Sequence, residues 1–163
     1  MKTLMIATGV ALAAQMSVVV AEEAKEAAAA EVKAADQQVT IAGDDTMKFD
    51  TAEFTVKEGE TVALTFKNVG KLPKIAMGHN IVILQPGTEP MSFAAASMVN
   101  KDTTGLPKDE ALLAKVVAST KMLGPGEEAS VTFTAPAPGE YPYICSFPGH
   151  AALMKGVMKV EAK

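Results

Sequence analysis

Near its C-terminus the chain reads Cys145-Ser146-Phe147-Pro148-Gly149-His150-Ala151-Ala152-Leu153-Met154, a thiol, an imidazole and a thioether set five and four residues apart. The one other His, His79, stands in Met77-Gly78-His79-Asn80, directly ahead of an apolar run. Thiolate and thioether suit Cu(I), and imidazole suits both copper oxidation states. A Cys-His-His plane with a weak axial Met is the donor set of a mononuclear electron-transfer copper. Taken singly, each residue has a plainer use: a His before a strand caps it or faces solvent, a lone Cys behaves as a small hydrophobe, and a Met fills a core. Together they leave no Cys or His of the chain outside the set, and Pro148-Gly149 supplies a tight turn between the thiol and its nearer imidazole.

Two rival chemistries draw on the same residues. A copper-storage or copper-chaperone protein would favour exposed Met clusters and Cys pairs, whereas the ten Met of this chain are scattered and its Cys is single. A cysteine-nucleophile enzyme would pair Cys145 with His150 or His79. It would leave Met154 idle, and no Asn stands out as an orienting partner. Two His exclude a three-histidine zinc enzyme, a trinuclear copper site and a multi-haem protein. With 15 basic residues, all of them Lys, against 19 acidic ones, the net charge of −4 and the lack of any Arg fork exclude a nucleic-acid binder.

The elements that must hold these donors read as strands. Val39 to Ile41, Met47 to Phe49, Phe54 to Val56, Thr61 to Lys67, Asn80 to Leu84, Ser130 to Ala135, Tyr141 to Cys145 and Gly156 to Glu161 carry period-two alternation or short apolar runs. Gly43-Asp44-Asp45, Glu58-Gly59-Glu60, Gly124-Pro125-Gly126 and Pro136 to Gly139 punctuate them at the spacing of a β-sandwich. Between Pro86 and Thr120, Met91 to Val99 and Lys108 to Val117 read as helical, a flap inserted between two strands. Ahead of this unit, residues 1–21 have the Lys and the uncharged apolar run of a secretory signal, with Val19 and Ala21 at the cleavage positions. Residues 22–36 are an Ala/Glu-rich spacer without an apolar stripe, and residues 37–163 are the folded domain. Export places the chain outside the cytoplasm, with no membrane span in the mature form.

The stretches CSFPGHAALMKG, LPKIAMGHN, TKMLGPGEEASVTF and AGDDTMKF make the chain similar to the azurins, cupredoxins of bacterial periplasms, over nearly all of residues 37–163. The resemblance implies an all-β, eight-stranded Greek-key sandwich with an inserted helical flap. It implies one copper ion bound in a plane by His79, Cys145 and His150, with Met154 and the backbone carbonyl of Gly78 as axial groups. Asn80 would hydrogen-bond around the Cys145 loop, and the Phe147 amide would point at the sulfur. Activity would be one-electron shuttling, not catalysis, between periplasmic redox proteins such as a c-type cytochrome or a copper reductase. These would dock on an apolar patch of Leu72, Pro73, Met77 and the uncharged neighbours of His150. The chain departs from the family at the positions of a disulfide, where Gln37 and Glu60 stand. It departs also at two non-ligand His positions, where Asn68-Val69 and Ser119 stand, and at a core Trp, whose space falls to Ile81 or Val82.

Overall fold

The computed structural model describes residues 34–99 and 105–163. The export segment and the spacer up to Lys33 lie outside the described residues. One sheet contains β1 (Gln37–Gly43), β3 (Thr61–Asn68) and β6 (Glu128–Thr134), in the order β1-β3-β6, with β1 parallel and β6 antiparallel to β3. The second contains β2 (Glu53–Lys57), β4 (Val82–Leu84), β5 (Val116–Ser119), β7 (Gly139–Ile144) and β8 (Lys155–Glu161), in the order β2-β8-β7-β4-β5. The eight strands form the expected all-β sandwich. In β3 the alternation decides the face: Val62, Leu64 and Phe66 are buried and Lys67 is exposed. With Val39 and Ile41 they meet Tyr141, Tyr143, Met158 and Val160 of the other sheet in one core. Each such side chain contributes roughly 1.5–3 kcal/mol on burial.

Strand β4 is apolar at every position because it is covered on both faces. Ile83 points into the main core. Val82 and Leu84 face Phe93 and Ala94 of α2 (Pro90–Val99), in a second cluster that also takes in Ile144 and Ala151. Of the two candidates for the missing Trp, Ile81 is the one that lies in the main core.

Three local readings need correction. Lys108 to Val117 is not one helix: α3 spans only Glu110–Leu113, capped by Asp109, whose Oδ1 accepts from the Leu112 amide at 3.0 Å. The β-branched pair Val116-Val117 instead opens β5, which pairs antiparallel with β4. Met47 to Phe49 is not a strand. Asp44 Oδ1 accepts from the Thr46 amide at 2.9 Å and closes a turn in which Met47 has φ 57°, so Phe49 makes only a single bridge to Gly43. A one-turn helix, α1 (Lys74–Met77), precedes His79 where no element was expected.

Where the family's disulfide would stand, hydrogen bonds connect the strands. Gln37 Nε2 donates to the Thr55 carbonyl at 2.9 Å, Glu60 Oε2 accepts from the Lys57 amide at 3.2 Å, and Asp36 Oδ2 accepts from the Thr61 amide at 2.7 Å.

Candidate metal centre

His79 lies just before β4 and is fixed through its backbone: its N–H donates to the Leu123 carbonyl at 3.1 Å, and the Leu123 N–H donates to its carbonyl at 2.7 Å. Cys145 directly follows β7. Its N–H donates to the Met154 carbonyl at 3.0 Å, which closes the loop that carries the other two residues. Inside that loop the His150 N–H donates to the Phe147 carbonyl at 3.0 Å, and the His150 carbonyl accepts from Met154 at 2.8 Å. Gly149 makes the turn at φ 83°, a conformation that costs side-chain-bearing residues strain, although nothing would crowd a Cβ there. Gly43 serves in the opposite way: a Cβ on it would come 2.3 Å from the Met154 methyl, so its bareness leaves the room that the buried thioether fills.

These arms bring His79, Cys145 and His150 into one buried group, with their ligand atoms all within 4.8 Å of one another. His79 Nδ1 and His150 Nδ1 lie 3.2 Å apart, and Cys145 Sγ lies 3.9 Å and 3.6 Å from them. A planar three-coordinate ion with bonds of about 2.0 Å to nitrogen and 2.3 Å to sulfur would set its nitrogens about 3.5 Å apart and each nitrogen about 3.7 Å from the sulfur. The triangle therefore has the size of a metal site. The Gly78 carbonyl stands 3.9 Å from Sγ.

The protonation states fit the same purpose. Burial pushes the Cys145 thiol up to about 11, against the opposing pull of the Asn80 and Phe147 amides that point at the sulfur. Burial, with the adjacent His79, pushes His150 down to about 4. Burial also lowers His79, opposed by the Asp45 carboxylate, the Asp44 carbonyl and the Asp44 carboxylate. Without metal, the pocket therefore holds a neutral thiol and two neutral imidazoles, whose lone pairs a cation can take.

The profile described as "Copper binding proteins, plastocyanin/azurin family" matches residues 35–161. The chain belongs to the plastocyanin/azurin family. Among its relatives, Azurin-1 of Alcaligenes xylosoxydans xylosoxydans is 43% identical over 130 residues, 77% of this chain and 98% of that one. The dithionite-reduced auracyanin of Roseiflexus castenholzii is 38% identical with a TM-score of 0.68, covering 78% of this chain and 98% of its own. Auracyanin A of Chloroflexus aurantiacus, described as a "blue" copper protein, is 32% identical with a TM-score of 0.65, covering 76% and 98%. Copper is the metal that this family membership and the donor set together indicate.

For a copper-binding member of the family, the hydrogen bonds behind the donors set how firmly they are held. Asn80 Oδ1 accepts from the Ser146 amide at 2.9 Å, and Asn80 Nδ2 donates to Ser146 Oγ at 2.9 Å. Ser146 Oγ in turn donates to the Gly105 carbonyl at 2.7 Å and fastens the returning end of the flap to the ligand loop. The part of Asn80 was expected. Those of Ser146 and Gly105 were not, and only the position of Ser146 next to Cys145 hinted at one.

His150 is only 3% exposed, with its ring against that of Phe147 at 4.6 Å between centroids. Of the expected patch, Leu72 and Pro73 are exposed and Met77 is half-buried. Sequence reading missed Ile75 on α1, the most exposed large apolar residue there at 91%. It also missed a cleft of about 90 Å³ where Met91, Ala94 and Met98 of α2 face Phe147 and Pro148.

Proposed function

We propose that the chain is a one-electron carrier that would hold one copper ion through His79 Nδ1, Cys145 Sγ and His150 Nδ1, with the Met154 thioether and the Gly78 carbonyl as weaker further donors. The observation that carries this reading is the buried Nδ1-Nδ1-Sγ triangle at 3.2, 3.6 and 3.9 Å. Bound copper supplies a single electron by alternating between Cu(I) and Cu(II). The residues supply the rest. Cys145 gives up its proton when the metal enters, and the Asn80 and Phe147 amides then hold the thiolate charge. The backbone pair at His79 and the closed loop at His150 keep both imidazoles in place, so little rearrangement accompanies a change of charge. Burial of all three donors excludes water.

His150 is the exit for the electron: it lies beneath the uncharged Pro148, Gly149, Ala152 and Leu153, which are exposed. With Leu72, Pro73 and Ile75 they form an apolar surface suited to the small, brief contacts of redox partners, such as a c-type cytochrome or a copper reductase. Residues 1–21 direct export, 22–36 act as a spacer, and the carrier works in the periplasm. Among the described residues no helix is long and apolar enough to cross a membrane. A storage or chaperone role needs donors open to a second protein, and these are buried. A nucleophilic enzyme needs a ready thiolate, and this thiol is pushed up to about 11. Titration with Cu(II) should give an intense blue thiolate-to-Cu(II) band that saturates at one copper per chain; a protein that stayed colourless would overturn the reading.

A further inference from the structure

Seven of the chain's Met lie among the described residues, and the fold sorts them by access. Met122, Met154 and Met158 are buried, Met47 and Met77 are half-buried, and only Met91 and Met98 are exposed, each at 47%. Those two stand seven residues apart on α2, two turns of helix, so they share one face with Ala94 and Ala95 between them. The helix turns another face inwards: Phe93 packs with Val82 and Leu84 of β4, and the Ser97 hydroxyl donates to the Phe93 carbonyl at 2.8 Å. No charged residue occurs anywhere on α2.

This stripe of thioether and methyl groups is one wall of the cleft of about 90 Å³, and Phe147, Pro148 and Gly149 of the ligand loop line the other side. No Lys, Asp or Glu lines it. Pro148 and Gly149 also belong to the apolar surface above His150, and the Phe147 ring lies 4.6 Å from the His150 ring, so the cleft continues the docking surface described above. Long, flexible thioethers give such a surface an adaptable contact. They are also the described Met side chains most open to a dissolved oxidant.

On the basis of the carrier reading above, we propose that Met91 and Met98 form an oxidation site through which a hydroperoxide, hydrogen peroxide in the simplest case, weakens the docking of redox partners beside His150. A sulfur lone pair attacks one peroxide oxygen: an S–O bond forms, the O–O bond breaks, and the departing hydroxide takes the proton of the transferred oxygen and leaves as water. Sulfur loses two electrons and the peroxide gains them. The product is a sulfoxide, whose polar oxygen water solvates. An apolar partner would have to strip that water without offering a hydrogen bond in exchange, so the contact weakens. The three donors and Met154 are buried and stay out of reach.

The test treats the Cu(II)-loaded full chain with hydrogen peroxide. Peptide mass spectrometry over time should find Met91 and Met98 each gaining one oxygen before Met122, Met154 or Met158 does, with the blue band and the potential unchanged at that point. Electron exchange between reduced and oxidised copies of the protein, a second copy serving as the apolar partner, should then slow several-fold. Reduction of both sulfoxides by methionine sulfoxide reductases with a dithiol should restore the rate. The double variant Met91→Leu/Met98→Leu preserves volume and removes the sulfur. Whatever its starting rate, it should lose nothing on the same treatment. Oxidation of a buried Met first, a rate that survives oxidation of both exposed ones or stays low after their reduction, or a Leu variant that slows as much as the parent would each overturn the proposal. A parent protein that stayed colourless with Cu(II) would instead bring down the carrier reading.

Discussion

His79 and His150 present the same nitrogen to the same point, yet the protein holds them in opposite ways. His79 is anchored at long range by a two-way backbone pair with Leu123, and the Asp44 carbonyl and the Asp44 and Asp45 carboxylates act on its ring. His150 is held within its own loop, by Phe147 behind it and Met154 ahead, among uncharged neighbours. One arm ties the metal to the sandwich and to its charges. The other lies just beneath the surface on a short, uncharged loop closed by its own backbone bonds. On the carrier reading proposed above, this division would let a stiff site still pass an electron outward.

The largest effect should come from the atom that both arms share. Cys145→Ser should abolish the blue band outright and leave the fold intact, because the core packs Cys145 as one small side chain among many. Far-UV circular dichroism beside the visible spectrum checks both halves, and a blue variant would defeat the site assignment. Cutting the arms one at a time should then separate them. His150→Gly removes the ring beneath the apolar collar, so added imidazole should enter and restore much of the blue band, while electron exchange without imidazole slows. His79→Gly should resist such rescue, since His79 is 0% exposed and walled in by Leu123 and the Asp44 turn. Equal rescue of both would erase the distinction drawn here.

The same contrast decides what could be read from the sequence. His150, Cys145 and Met154 are local: ten residues with a Pro-Gly turn announce a loop, and their types announce the metal. The sandwich was legible for a similar reason, since alternation such as that of Thr61 to Lys67 is written residue by residue. What escaped is what depends on distant partners. Val116-Val117 looked like the end of a helix because nothing local showed that β4 would offer it an edge. Met47 to Phe49 looked like a strand because its alternation masked the Asx turn that Asp44 imposes. Ser146 and Gly43 matter only through residues 41 to 111 positions away in the chain, and no spacing pattern encodes such a contact.

Proton competition gives a smaller effect, with a fixed sign. In the copper-free protein His150 is pushed down to about 4 from an ordinary 6.5, and His79 is lowered as well. The unfolded chain therefore takes up protons first as the pH falls through 6.5, and stability is lost from there down towards 4. Cys145 works at the other edge. Raised to about 11 from 9.0, its stabilising contribution is present below 9 and lost as the pH rises through 11. Urea unfolding of the copper-free chain should show a plateau between these limits, with a loss of up to about 2 kcal/mol from His150 between pH 7 and pH 5. A flat profile across that interval would mean that the imidazoles titrate as freely in the folded chain as in the unfolded one.

The smallest change should come from the residue that belongs to neither arm. Met154 is fully buried against Gly43, and its backbone, more than its sulfur, closes the ligand loop through the Cys145 N–H at 3.0 Å. A copper held by the Cys145 thiolate and the two imidazoles would gain little from a fourth, soft donor, so the thioether would act only as a weak influence on it. Met154→Leu preserves volume and the loop-closing carbonyl, and should cost less than about 1.5 kcal/mol of stability. It should keep copper and colour and raise the potential, because an apolar axial neighbour disfavours Cu(II); Met154→Gln should lower it by offering a harder oxygen. Gly43→Ala provides an independent probe, since its Cβ would displace the Met154 methyl without touching the three planar donors. Redox titration with copper content measured alongside decides the matter. If Met154→Leu lost its copper, the sulfur would be a third anchoring point, and the division of labour between His79 and His150 would have to be redrawn around it.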